Sequence, residues 1–477
     1  MDDENQPRRI REKLIRVERA DPAHLVFGAS SHRYSVGPTL TREQIFKVEI
    51  LNRIELPEAY QRFLLEIGNG GERIGKAAAG PFYGLYALTD ALSHTDQTSL
   101  TAPCVLSPEH SAETWQIMVA DAKKRLIESS RDEEHGLETD DDLMFQHLFG
   151  GILPIGPQGG PRFHGLVLNG PHTGRVVNLD RTLKPPKFCY EANFLHWYER
   201  WLDEALAGML EQQNGYWFGY QRAGCDVALL NAFDRCDTRE ERLDCLTSLG
   251  KLTSVSISTL GRLEELATDP DMGLRRESIR KLAQFDFRRA DLHLRRMIHG
   301  DDAELAFACQ TISDFGSSRT PDYVDAIANR LALITDAQAF DKSASVMNLA
   351  RAEWSDVLRT YACHPEIQVR RSVFCCLWQH PVAIRKRNID LFVTGLGDDS
   401  PTVVHAALQA LSDVNDNRLY PAFKEILHRF CEDEQFVLTN VQHRLKEHGF
   451  RDSGHFLDMM RSTDQSGSPR NRSATAA

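Results

Sequence analysis

The chain lacks any run approaching the roughly eighteen consecutive apolar residues that a bilayer-spanning helix requires, which excludes an integral helical membrane protein. Its start, Met1-Asp2-Asp3-Glu4-Asn5-Gln6-Pro7-Arg8-Arg9, is charged where a secretory leader would be apolar. The ten cysteines are scattered with no Cys-x-x-Cys pair. They read as reduced thiols in a cytoplasmic chain rather than as a disulfide framework. Cys375 and Cys376, adjacent within an apolar helical pattern, read as core.

Catalytic signatures are also missing. Gly156-Pro157-Gln158-Gly159-Gly160-Pro161 lacks the Gly-Lys-Ser/Thr ending of a phosphate loop, and its prolines remove backbone donors. Gly68 to Gly75 lacks Gly-x-Gly-x-x-Gly spacing, so both segments read as turns. There is no Gly-x-Ser-x-Gly elbow and no His-Glu-x-x-His helix. Neither His293 with Met297 nor His443 with Glu447 makes a paired-ligand helix. No catalytic, cofactor or metal residue is assigned, and the chain is not expected to be an enzyme. Basic residues number 56 against 68 acidic ones, a net charge of −12. That balance opposes a phosphate backbone and suits a basic partner better.

What is present divides into two patterns. At 477 residues the chain is too long for a single core. Residues 1–40 mix charge with turn residues and read as a loosely ordered lead-in with a short helix near Ile10 to Val17. Thr41 and Gln44 have capping-box spacing ahead of Ile45, Val48 and Leu51. Leu56-Pro57 then starts the stretch around which the rest is organised. Tyr60, Phe63, Leu64 and Ile67 fall at helical spacing, and Gly68-Asn69-Gly70-Gly71 supplies residues that tolerate positive φ at the exit. Short apolar runs punctuated by glycine follow at Gly80–Leu88, Gly151–Gly156, Gly165–Asn169 and Gly174–Asp180, and read as strands. The closing helix carries Phe194, Trp197, Tyr198, Trp201 and Ala205 on one face behind Asn193 as cap. These elements predict an α+β domain, helices packed on one face of a mixed or antiparallel sheet.

The order of these segments resembles the SUKH superfamily, the Smi/Knr-like domain, over roughly Thr41 to Leu206. The signature positions are Leu56, Pro57, Tyr60, Phe63, Leu64, Asn69, Gly70, Gly71, Trp197 and Trp201, and their role reads as mainly structural. Bacterial members of that superfamily are typically immunity proteins that bind and block toxins, and fungal members regulate cell-wall synthesis and growth. The resemblance therefore implies a protein-binding module. The chain departs from the family between 89 and 150. Ser107-Pro108 reads as a helix start, with Trp115, Met118, Val119, Ala122 and Leu126 continuing an apolar face. Next, Asp132 to Asp142 holds seven acidic residues and no Lys or Arg. A solvated loop is one reading. The other makes Glu133, Glu134, Glu138, Asp140, Asp141 and Asp142 an electrostatic contact for a basic partner. The acidic spacing does not match a calcium loop.

From about Gly215 strand-like runs vanish. Asp237-Thr238-Arg239-Glu240 resembles a capping box, and Thr320-Pro321-Asp322 opens a further helix. Leu274, Leu305, Val369 and Val403, each after an acidic or Pro-containing turn, are spaced by 31, 64 and 34 residues. The double step places a degenerate copy near Asp336 to Leu349. A period in the thirties resembles HEAT-type helical hairpins, which stack because one hairpin cannot bury its apolar face alone. Arg275 and Arg370 hold the basic position of such repeats, whereas Ala306 and Val404 depart from it. The segment from Arg275 to Arg296 is locally basic, and nucleic-acid binding through it is a weaker alternative.

The expected organisation is thus a lead-in (1–40), a SUKH-like domain (41–210) with its insertion (89–150), a HEAT-like solenoid (215–460) and a disordered tail (461–477). The expected function is a cytoplasmic protein-binding module, most simply an immunity protein that neutralises a toxin domain. The alternative is a regulatory scaffold that acts on no toxin.

Overall fold

The computed structural model describes residues 4–71, 78–129, 144, 147–211, 216–331, 333–430 and 434–466. Contacts divide the chain into two compact units, Met1–Thr259 and Leu260–Ala477.

The first unit is built on an antiparallel four-stranded sheet in the order β1 (Ile152–Gly159), β2 (Arg162–Val167), β3 (Val176–Asp180) and β4 (Lys187–Phe188). Strand alternation sends Phe163, Val167, Val177 and Leu179 to one face and Leu166, Val176 and Ile155 to the other. Each face carries its own core. One is covered by α3 (Glu58–Glu66) and α5 (Phe194–Leu206), where Phe194 meets Tyr60 at 4.8 Å and Phe63 meets Tyr198 at 4.8 Å between ring centroids. Such aromatic contacts add about 0.5–1.5 kcal/mol each beyond the area they bury. The other face is covered by α4 (Ala112–Ser129) through Trp115, Val119 and Ala122. Sequence placed the helices on one face only. Helix α4 supplies the second layer, because its apolar stripe has the sheet's remaining apolar face to bury.

The supposed loose lead-in is corrected by α1 (Gln6–Ala20). Ile10, Leu14 and Val17 recur at one helical face, and all three are buried in the α3/α5 core. An adjoining flank is pinned to α5, with Arg9 at 3.0 Å and Lys13 at 2.9 Å from Glu199. Glu199 is partly buried, which works to raise its carboxyl; hydrogen bonds from Arg9, Lys13 and Gln6 outweigh this and hold it down at about 2.

Other boundaries move for identifiable reasons. α2 (Arg42–Asn52) begins with the Thr41/Gln44 capping box. Helix α4 starts at Ala112 rather than after Ser107, since Ser111 accepts the Thr114 amide at 3.0 Å. The stretch from Gly80 to Leu88 is not a strand. Pro81 has no amide to donate, and Phe82 and Gly84 both have positive φ, leaving only isolated bridges around Tyr86 and Leu85. Gly156 to Gly159, read as a turn, extends β1 with bulges, and only Gly160-Pro161 turns the chain. The Gly68–Gly71 exit does not use positive φ at Gly68, Asn69 or Gly70. Smallness is what counts there: a Cβ on Gly70 would fall 1.7 Å from the Tyr86 carbonyl oxygen.

The pattern change near Gly215 does not coincide with the division at Thr259. The helices α6 (Asp226–Arg235) and α7 (Arg239–Leu249, capped by Thr238 with Glu241) belong to the first unit. A buried ionic cluster helps to hold this region onto α5. Arg200 donates to Glu204 at 3.0 Å, Glu191 at 2.7 Å, the Tyr216 hydroxyl at 3.1 Å and the Gln221 carbonyl at 2.5 Å. Lys251 closes the cluster at 3.0 Å from Glu204.

The second unit is a stack of helical hairpins in two layers. One layer contains α8 (Met272–Phe285), α10 (Asp302–Phe315), α12 (Ala337–Leu349), α14 (Ile367–Gln379), α16 (Pro401–Ala410) and α18 (Gln435–Glu447), each against the next. The other contains α9 (Phe287–Ile298), α11 (Val324–Leu331), α13 (Ser355–Tyr361), α15 (Ile389–Leu396) and α17 (Tyr420–Arg429). The anchors Leu274, Leu305, Val369 and Val403 are buried, and α12 occupies the double step with Ala339 and Phe340 inside. Arg275 and Arg370 act alike. Each donates to the carbonyls six and five residues back, at 2.7 and 3.4 Å for Arg275 and 2.8 and 3.0 Å for Arg370. Cys376 is buried but Cys375 is exposed, because neighbours on a helix point about 100° apart. The expected tail is helical as far as Ser466 in α19 (Ser453–Ser466). No helix among the described residues is long and apolar enough to cross a membrane.

Candidate functional site

The register of β2 and β3 sets Arg162 opposite Asp180 and His164 opposite Asn178 on the α5-facing side of the sheet. Over this end of the sheet lies Tyr216-Trp217-Phe218-Gly219-Tyr220, four aromatic residues in five. Asn178 Nδ2 donates to the Gly219 carbonyl at 3.3 Å, and the Tyr220 hydroxyl donates to Gln158 Oε1 at 2.9 Å. Gly219 has a φ of +83°, and a Cβ there would lie 3.1 Å from Cys189 Sγ and 3.3 Å from Asn178 Nδ2. Phe218 is buried against Trp197, whereas Trp217 remains 37% exposed.

The result is a hollow of about 350 Å³ bounded by Arg162, Asn178, Asp180, Lys184, Trp217 and Tyr220. The Arg162 guanidinium lies 5.0 Å from the Trp217 ring centroid and 3.4 Å from Asp180. Asp180 also accepts from the Thr182 amide at 2.8 Å and hydroxyl at 2.6 Å. Partial burial works to raise the Asp180 carboxyl, and the bonds from Thr182 and Arg162 outweigh it, keeping it ionised.

Below the hollow a buried polar network holds Asn178 and Tyr220. Gln158 Nε2 donates to Asn178 Oδ1 at 2.7 Å and lies 2.9 Å from His164 Nδ1. Burial pushes the His164 imidazole down to about 3 and the Cys189 thiol up to about 12, so both stay neutral near pH 7. Neither is set up for proton transfer or nucleophilic attack. What the arrangement offers is recognition: an indole, a phenol and two cations held by a rigid floor.

The signature positions lie elsewhere. Leu56, Tyr60, Phe63, Leu64, Trp197 and Trp201 are core residues, and Pro57 precedes the first turn of α3. Asn69 Oδ1 accepts the Gly70 and Leu88 amides, both at 2.9 Å, and Gly71 bridges to Tyr86. None of them lines the hollow. Glu133, Glu134, Glu138, Asp140, Asp141 and Asp142 lie outside the described residues. In the locally basic segment, Lys281 pairs with Glu277, Arg289 with Glu264 and Arg295 with Asp291. Sequence reasoning passed over Arg162, Lys184, Trp217 and Tyr220. The aromatic run beginning at Tyr216 was the available signal, masked by the shift to helical pattern beside it. No protein-family model matches this chain, and no curated protein matches it either.

Proposed function

We propose that this chain is a protein-binding module of the immunity type, which grips a toxin domain and neutralises it sterically. In this reading the first unit is SUKH-like, the helical stack is HEAT-like, and no residue is catalytic. The observation that supports it is the Trp217–Arg162 hollow. Trp, Tyr and Arg are the side chains that dominate binding energy at interfaces. Here they stand at a surface already ordered by Gln158, Asn178 and Tyr220, so a partner loses little conformational entropy in docking.

The test is co-expression with a toxin domain encoded beside this chain. Wild type restores growth, and Trp217→Ala, Arg162→Ala or their combination weakens the complex by about 2 kcal/mol or more, roughly thirtyfold in Kd. Undiminished rescue by the double variant, or a stable complex in which the toxin stays active, overturns the proposal. Recovery of cell-wall enzymes and no toxin in a pull-down would move the assignment to a regulatory scaffold.

A further inference from the structure

The second unit has a separate hollow of about 650 Å³ where the N-terminal ends of α10 and α12 meet the middle of α8. Its floor is Phe307. The Arg276 and Arg280 guanidinium carbons lie 5.6 and 5.7 Å from that ring's centroid, and Lys342 faces them from α12. Among the described residues none of these three cations has a carboxylate within ion-pair distance, and Arg276 Nε is buried without a hydrogen-bond partner. The carboxylates that share the hollow are engaged by backbone amides instead. Asp301 accepts the Glu304 amide at 2.8 Å, Asp336 the Ala339 amide at 2.8 Å, and Asp302 the Thr335 and Asp336 amides at 2.9 and 3.1 Å. The acceptors are therefore occupied while the cationic donors are open.

We infer that this hollow is a docking site for an acidic peptide segment of a protein partner, whose carboxylates pair with Arg276, Arg280 and Lys342. Charge-assisted bonds to guanidinium groups are the strong, directional ones, and stacking on Phe307 holds both forks in place. A uniformly charged phosphate backbone fits less well, because the Asp301, Asp302 and Asp336 side chains line the same hollow as the cations. A peptide can set carboxylates against the cations and neutral residues against the acids. The inference is independent of the toxin reading.

The experiment uses full-length protein and fluorescence anisotropy with a labelled peptide of alternating Glu and Ser, its Lys/Ser counterpart and a single-stranded oligonucleotide. The acidic peptide binds, the Lys/Ser peptide does not, and Arg276→Gln/Arg280→Gln weakens the acidic peptide by about tenfold or more. Arg288→Gln/Arg296→Gln removes the same two charges from exposed positions of α9 and leaves binding unchanged, and circular dichroism checks that each variant is folded. Absence of acidic-peptide binding, an equal loss in Arg288→Gln/Arg296→Gln, or tighter binding of the oligonucleotide than of the peptide overturns the inference.

Discussion

Arg200 is the most informative single side chain to remove. It is buried among Glu191, Glu204, Tyr216 and Lys251, with side-chain exposures of 6% for Arg200, 9% for Glu191, 7% for Glu204 and 0% for Lys251. The cluster holds two cations and two carboxylates, so its formal charge cancels. Arg200→Leu leaves two buried carboxylates against one ammonium, and Glu191 loses its ion pair. Breaking a buried pair from one side costs about 3–5 kcal/mol, since the desolvation cost of the abandoned charge remains. Arg200→Lys keeps the charge but cannot serve four acceptors, and should cost less than Arg200→Leu. Urea unfolding followed by tryptophan fluorescence reads the loss through Trp197 and Trp201, which flank position 200 on α5. An Arg200→Leu variant within about 1 kcal/mol of wild type, or one no less stable than Arg200→Lys, would refute the reasoning.

Other outcomes can be stated briefly. Glu199 has a folded pKa of about 2, below its ordinary carboxylate value, so its stabilisation is full above about pH 5 and is lost as pH falls through 2. The depression corresponds to at most about 3 kcal/mol, and screening at the partly exposed Arg9 and Asp203 side reduces it to about 1–2 kcal/mol. Glu199→Gln should flatten the acid limb of a denaturation profile by that amount; an unchanged limb would show that α1 is not held this way. Leu14→Ala should cost about 2–5 kcal/mol by opening a cavity under α1, measured by the urea midpoint. Gly219→Ala should displace the Trp217 loop, because positive φ and contact with Cys189 both oppose a Cβ, and the red shift of Trp217 emission on exposure reports it.

The elements legible in sequence are those whose signals are local. The Thr41/Gln44 box, the Asn193 cap and the helical spacing of Tyr60, Phe63 and Leu64 depend on residues within one or two turns, and each appears where its pattern lies. What escaped depends on distant partners. Only a short helix near Ile10 to Val17 was legible in the lead-in, and its full extent, Gln6–Ala20, is secured by the Glu199 contacts of Arg9 and Lys13 far along the chain. Gly70 looked like a conformational choice, and its actual constraint is the Tyr86 backbone across the chain. The Trp217–Arg162 hollow was illegible for the same reason. Arg162 and Trp217 are ordinary surface residues in sequence, and only the β2–β3 register and the Gly219 contact make them neighbours.

The double-sided sheet has a consequence for what its strands can carry. With α4 in place, positions 163, 177 and 179 are free to be Phe, Val and Leu. Without α4 those three positions would face water, so a chain built on the same sheet but lacking that helix should carry polar side chains there, and strand composition alone would reveal whether the extra layer is present.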